Sequence, residues 1–197
     1  GSCTSCPKVM GGKRGLGFEF EVYPNSIEIP YGNGVNVSEF SVSMWVKPNS
    51  VSGNPIFFAS DNGASQRLYL SIYGGKWDIG IQGSAWSTSL SQTIATTDWT
   101  YVTLIMNDNL AKLYINGVFS MSKSYTSYLL ASDFRIGRHR TDSSTYQFNG
   151  SIDDVMIFDR ALSESEVKSL YNAQSNQYGN VFDGLGNRVY NFTAYSQ

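Results

Sequence analysis

Charge is scarce in this chain. Asp, Glu, Lys and Arg make up 15% of its 197 residues, against about a quarter in an ordinary soluble domain. Lys and Arg number 14 against 16 acids, a net charge of −2. A nucleic-acid binder neutralises phosphates with a cationic surplus, so that class is excluded. Long apolar runs are missing as well, none approaching the roughly 18 residues of a membrane span, which excludes membrane insertion by this segment. Histidine occurs once, at His139, and cysteine twice, at Cys3 and Cys6 in SCTSCP. Such a pair reads as a redox site, half a zinc site or a short disulfide. Zinc needs two further ligands, and His139 is far along the chain. A thioredoxin-like site needs a preceding strand and a following helix, whereas this pair opens the sequence. A Cys3–Cys6 disulfide in an N-terminal extension, residues 1–15, is the expectation.

What the chain does have is turn residues between short alternating runs, the pattern of an all-β sandwich or barrel. FEFEVYPNSIEIP (18–30) gives a strand, a turn and a strand. In FSVSMWVKP, Phe40, Val42, Met44 and Val46 face one way and Ser41, Ser43, Trp45 and Lys47 the other. IFFAS, RLYLSIY and KWDIGIQ come next, with Gly74-Gly75 turning between the last two. WTYVTLIM and AKLYING flank Asn107-Asp108-Asn109, and Asn116-Gly117 supplies the positive-φ pair of a tight hairpin. One helix is expected after Leu162. Ser163 is its N-cap, Glu166 completes a capping box, and Leu162 with Val167 forms a hydrophobic staple. Val167, Leu170 and Tyr171 share a face that must lie against the sandwich. Residues 172–180 read as a linker, and VFDGLGNRVYNFTAY as a hairpin within a tail, 173–197.

Five motifs fall in an order that resembles laminin-G-like domains of the concanavalin A-like lectin/glucanase superfamily. FNGSIDDVMIFDRALSESEVKSLYN (148–172) resembles the closing signature. FSVSMWVKP is similar to the early Trp strand, Trp99-Thr100-Tyr101-Val102 to a W-x-x-V strand, LYING to an LYVNG hairpin and Arg135-Ile136-Gly137 to an IG strand. The resemblance covers about residues 16–172. It implies a jelly-roll sandwich of two curved antiparallel sheets with one short C-terminal helix. LGFEFEVYPNSIEIP departs from the family opening: the early Asp-Gly is gone, with Glu19 nearest to it, and Asn25-Ser26 replaces a later Asp-Tyr.

The signature strand carries adjacent carboxylates. Period two puts Asp153, Val155 and Ile157 on one face and Ile152, Asp154, Met156 and Phe158 on the other, so one carboxylate meets apolar neighbours. An unpaired charge there needs a cation or several backbone N–H donors. Calcium suits carboxylate and main-chain oxygens, and related domains hold one beside this strand. That makes Asp153, with Glu19 and Asn25, the candidate calcium ligands. The alternative is that Asp153 caps the amides of a neighbouring loop.

Sugar recognition asks for directional donors and acceptors plus a flat ring against a pyranose face. GRHRTDSSTYQF (137–148) offers Arg138, His139, Arg140, Asp142 and Tyr146, and paired arginines suit a sialylated glycan. SDNGASQR (60–67) offers Asp61, Asn62 and Arg67. Trp86, between Gly/Ser-rich flanks, is a candidate stacking ring, while Trp45, Trp77 and Trp99 read as packing residues. Glucanases of this superfamily carry a Glu-x-Asp-x-(x)-Glu strand. Here Glu19 and Glu21 have no Asp between them, and Asp153 and Asp159 are about 20 Å apart along a strand. No nucleophile motif is present. The expectation is a non-catalytic, extracellular, carbohydrate-binding adhesion module of a larger cell-surface protein such as an adhesin or pilus subunit. A module binding a host or matrix protein and a structural spacer are the alternatives.

Overall fold

The structure is a computed structural model that describes residues 3, 5–30, 39–61, 67–81, 91–125, 133–139, 146–175, 181–182 and 188–189. Its strands are β1 (Lys8–Gly11), β2 (Leu16–Phe20), β3 (Ile27–Pro30), β4 (Glu39–Pro48), β5 (Ile56–Asp61), β6 (Arg67–Tyr73) and β7 (Lys76–Ile81). Then come β8 (Thr100–Asn107), β9 (Leu110–Ile115), β10 (Val118–Ser124), β11 (Asp133–Ile136) and β12 (Gly150–Phe158). After helix α1 (Glu164–Ser175), β13 (Val181–Phe182) and β14 (Arg188–Val189) pair as the expected C-terminal hairpin. No helix of the described residues is long and apolar enough to cross a membrane.

Two antiparallel sheets form the expected sandwich. One runs β1-β2-β12-β4-β8-β9-β10, the other β3-β11-β5-β6-β7. Alternation decides which side chains meet between them. Phe40, Val42, Met44 and Val46 of β4 and Val102, Leu104 and Met106 of β8 join one core with Leu68, Leu70 and Ile72 of β6 and Trp77, Ile79 and Ile81 of β7. Each such side chain, taken fully from water, contributes about 1.5–3 kcal/mol. The hairpins turn where the residues allow positive φ: Gly74-Gly75, Asp108-Asn109 and Asn116-Gly117. These pairs have the left-handed backbone that tight turns between twisted strands require. Residues 8–11, inside the expected N-terminal extension, add an edge strand to the larger sheet.

Strict alternation fails at the paired carboxylates, and the reason is one extra residue. Asp153 lies opposite Trp45, but the next pair is Met156 with Ser43, so β12 bulges between them. Asp154 occupies the left-handed region at φ 47°, which Asp tolerates better than most residues. The bulge reverses the facing of the residues after it. Ile152, Val155 and Ile157 all pack on the core, while Phe158 packs beside α1. Asp153 accepts the Arg14 N–H on Oδ2 (2.9 Å) and the Asp154 N–H on Oδ1 (2.7 Å). A Cβ on Gly12 would collide with that carboxylate, so glycine lets the β1–β2 turn fold over it. This is the loop-capping arrangement.

Helix α1 seals the outer face of the larger sheet. Ser163 N–H donates to Glu166 Oε2 (2.8 Å) and Glu166 N–H to Ser163 Oγ (3.3 Å), the capping box as expected. Leu162 and Val167 are buried with Ile105 and Tyr114, completing the staple. The helix continues to Ser175, beyond the expected linker boundary, because Gln174 has a partner: its Oε1 accepts Trp45 Nε1–H at 3.1 Å. Trp45 packs as expected, but beneath the helix, with ring centroids 5.1 Å from Tyr101 and 6.1 Å from Tyr171.

Both sides of the sandwich are clipped. On one, Lys123 reaches inward from edge strand β10 and donates to the Ile79 carbonyl of edge strand β7 (2.8 Å). An inward lysine of this kind blunts an open edge. On the other, the residues before β1 meet the residues before β3. Ser26 N–H donates to the Ser5 carbonyl (3.2 Å), and Asn25 Nδ2 donates to Ser5 Oγ (3.1 Å) and the Cys6 carbonyl (3.3 Å). The Cys3–Cys6 disulfide is formed.

Candidate functional site

Strand register determines which loops share an end of the five-stranded sheet. At one end Asp133 faces Pro30, Asp61 faces Arg67 and Leu68 faces Ile81. At the other, Ile136 faces Ile27, Ile56 faces Ser71 and Tyr73 faces Lys76. The two candidate loops therefore leave from opposite ends: Asp61 and Arg67 close the first, and Arg138, His139 and Tyr146 stand at the second. They do not make one site. Asn62, Trp86, Arg140, Asp142 and the side chains of Asp61 and Arg67 lie outside the described residues.

The second end is built tightly. Gly137 turns the chain out of β11 at φ 92°, where a Cβ would run into the Phe20 ring. Its N–H donates to the Phe57 carbonyl (2.9 Å), and its carbonyl accepts from Phe148 (3.0 Å), closing the neck of the excursion. Gln147 Nε2 donates to the carbonyls of Asn25, Gly137 and Phe148, each at 3.1 Å. Arg138 is fixed from the side, its Nε donating to Ser26 Oγ (3.2 Å) and its guanidinium lying 5.7 Å from the Tyr23 ring centroid.

His139 turns to the outer face of the sheet. It is 5% exposed and meets the Tyr69 ring edge-on at 5.9 Å and the Tyr146 ring at 6.3 Å. Tyr69 lies flat because it faces Gly80 across the β6–β7 pair, where any Cβ would overlap its ring. Three tyrosines at this end remain exposed: Tyr23 at 38%, Tyr73 at 41% and Tyr146 at 39%. In strand order the end thus presents Tyr23 before β3, Arg138 and His139 after β11, Tyr146 beside β5 and Tyr73 closing β6. Strands stand about 4.8 Å apart, so the row spans roughly 14 Å.

Further along the same outer face, Asp78 lies opposite Ser71 and is 4% exposed. Its Oδ1 accepts no hydrogen bond from the described residues. Burial pushes its carboxyl above the usual range, against the opposing pull of Lys123 and the Ile79 amide. Sequence reasoning missed Tyr23, Tyr69, Tyr73, Asp78 and Gly80. The usable signal was the alternation in RLYLSIY and KWDIGI, which leaves Tyr69, Ser71, Tyr73, Asp78 and Gly80 on the face away from the core.

The three candidate calcium ligands do not assemble into one donor set. Asp153 serves the Arg14 amide beside the β1–β2 turn. Asn25 is at the opposite end of that hairpin, with Oδ1 accepting from the Glu21 and Val22 amides (3.3 and 3.1 Å). Glu19 lies between, across from Lys8 and Ser151. Among the described residues no group of three or more His, Cys, Asp or Glu is placed to hold a metal ion. The residues named for calcium therefore do not fit a shared ion.

Comparison with protein families matches residues 24–168 to Laminin_G_3, described as the concanavalin A-like lectin/glucanases superfamily. No curated protein sequence matches. Among solved structures, the chain is similar to domain 4 of AbnA, a GH43 extracellular arabinanase from Geobacillus stearothermophilus, in complex with arabinotriose. The TM-score is 0.70 at 24% identity, covering 87% of this chain and 82% of that one. It is similar to Trypanosoma rangeli sialidase in complex with 2,3-difluorosialic acid, with TM-score 0.68, 18% identity, 85% of this chain and 29% of the sialidase. It is also similar to the botulinum neurotoxin serotype D binding domain, with TM-score 0.65, 23% identity, 95% of this chain and 50% of that one. At these identities the likeness is one of fold. The chain belongs to the concanavalin A-like lectin/glucanases superfamily.

Proposed function

We propose that this domain is a non-catalytic carbohydrate-binding module, and that the row Tyr23, Arg138, His139, Tyr146 and Tyr73 carries the glycan. The observation behind the proposal is that row: three exposed tyrosines and a held arginine side by side on a rigid sheet end. Exposed rings stack on the apolar faces of sugars, and a guanidinium offers a paired donor to hydroxyls or to a carboxylate such as that of a sialic acid. The span of about 14 Å suits an oligosaccharide better than one sugar. Relatives of the same fold solved with arabinotriose and with 2,3-difluorosialic acid lend support. So does the short share of the sialidase that the fold covers, which suits an adhesive module of a larger extracellular or cell-surface protein, an adhesin or pilus subunit.

The test is a glycan array run in calcium-containing buffer and again in EDTA, with Tyr146→Ala and Arg138→Ala beside the parent chain. Selective binding lost in both variants supports the reading, and sialylated hits assign the carboxylate to Arg138. Loss in EDTA alone would place a calcium ion at the site. Binding untouched by both variants would move the site to the other end of the sheet. A blank array would favour a protein-binding module, for which the β1–β2 hairpin speaks: Val9, Met10, Leu16 and Phe18 are all exposed there.

A further inference from the structure

The Cys3–Cys6 disulfide stands outside the row yet is connected to its first two members. The dipeptide Ser5-Cys6, within and at the edge of the disulfide loop, is hydrogen-bonded to Asn25 and Ser26: the Ser26 amide donates to the Ser5 carbonyl, and Asn25 Nδ2 to Ser5 Oγ and to the Ser5 and Cys6 carbonyls. Asn25 is buried, and its Oδ1 ties down the amides of Glu21 and Val22, the backbone that presents Tyr23. Ser26 Oγ accepts from Arg138, and the Asn25 carbonyl accepts from Gln147, which also holds the Gly137 neck. One polar chain therefore runs from the disulfide loop through Asn25-Ser26 to Tyr23, Arg138 and the base of the 137–148 excursion.

We propose that the disulfide is a redox-sensitive brace for the glycan row, so that its reduction weakens ligand binding; the ligand half of this rests on the carbohydrate reading above. Closing the loop removes conformational freedom that Ser5 and Cys6 would otherwise lose on docking against Asn25. Both cysteines are exposed, so a dithiol reductant can reach them. One thiolate attacks a cysteine sulfur, forming a mixed disulfide and releasing the other cysteine as a thiol. The second thiol of the reductant then displaces the first cysteine and closes its own disulfide. Two electrons and two protons pass to the protein. The freed segment holds Asn25 less tightly, and Tyr23 and Arg138 lose their backing while the sandwich core stays intact.

The experiment follows hydrogen exchange by mass spectrometry in the oxidised protein, in the protein held in dithiothreitol, and in a Cys3→Ser/Cys6→Ser variant. Intact mass, two daltons heavier on reduction, reports completion. Peptides covering 20–30 and 133–149 are expected to exchange about fivefold faster in both disulfide-free forms, the worth of roughly one net hydrogen bond. Peptides from β8 and β9 are expected to stay unchanged. The glycan found by the array should bind the reduced protein about fivefold more weakly. Unchanged exchange in 133–149 after verified reduction overturns the brace. Faster exchange with equal glycan affinity overturns its coupling to binding. Faster exchange with no glycan bound in any form leaves the brace standing and sinks the carbohydrate reading instead.

Discussion

On the outer face of the seven-stranded sheet, Trp45 and Tyr101 lie beneath α1 and meet its Tyr171, with ring centroids 5.1–6.1 Å apart. On the outer face of the five-stranded sheet, Tyr69, His139 and Tyr146 meet at 5.9 and 6.3 Å with no described helix above them. The clusters are alike in ring chemistry and differ in what surrounds them. The first is covered by a helix with a complete capping box and is tied to it through Gln174. The second is held from below, by Gly80 and the Gly137 neck, and keeps Tyr146 open to solvent. Aromatic rings on the outer face of a sheet are sealed or left open to solvent according to whether the chain after the sheet returns to cover them.

Perturbing each side tests that contrast. Trp45→Ala is expected to have the largest effect, about 3–5 kcal/mol in a urea melt, because it empties a buried ring site. The folded fraction should keep its ligand affinity, and a loss below about 1 kcal/mol would show that α1 seals nothing. Gly80→Ala puts a Cβ into the Tyr69 ring and should cost about 1–3 kcal/mol. It should also displace His139 and Tyr146 and weaken glycan binding, which Trp45→Ala should not. Ser163→Ala, which removes the cap of α1, should cost about 1 kcal/mol and leave the row untouched.

The smallest effect is one of pH. Burial raises the folded-state pKa of Asp78 above its ordinary value of 3.8. The carboxyl is thus better accommodated protonated, and the stability it contributes is lost as pH rises through that raised pKa. Asp78→Asn stays neutral throughout, so its Tm advantage over the parent should grow from about pH 4 toward pH 7. Glu166 works in the opposite sense. Arg160, then the backbone and hydroxyl of Ser163, hold its pKa down to about 2. Its contribution is present above the ordinary value of 4.5 and lost as pH falls toward about 2. In Ser163→Ala that acid loss should shrink, as seen in parallel acid melts.

Much of this architecture was legible because the signals are local. The alternation of residues 40–47, the Asn-Gly and Gly-Gly turns and the Ser163–Glu166 box each depend on neighbours within a few positions. The features that escaped depend on distant parts of the chain. Nothing near Asp154 announces an extra residue; the bulge exists because β12 must fit Trp45 and Ser43 while keeping Asp153 under the Gly12 turn. Tyr69 lies flat beside His139 only once register sets it across from Gly80. The separation of Asp61 and Arg67 from Arg138 and Tyr146 likewise needs the strand order, since both loops look alike in composition. The helix overran its expected end because Gln174 is held by a ring more than a hundred residues earlier.

The place of β12 in the larger sheet governs how the chain can fold. It pairs with β2 on one side and β4 on the other, so a strand made late in synthesis enters the middle of the sheet rather than its edge. Until residue 158 has left the ribosome, β1–β2 is a lone ribbon and β4-β8-β9-β10 is a sheet whose β4 edge lacks its partner. Closure then needs contacts across more than a hundred residues, which makes folding slow and leaves the β4 edge open to other chains meanwhile. A chain cut before Gly150 should not yield a smaller stable domain, and aggregation during expression should begin at β4.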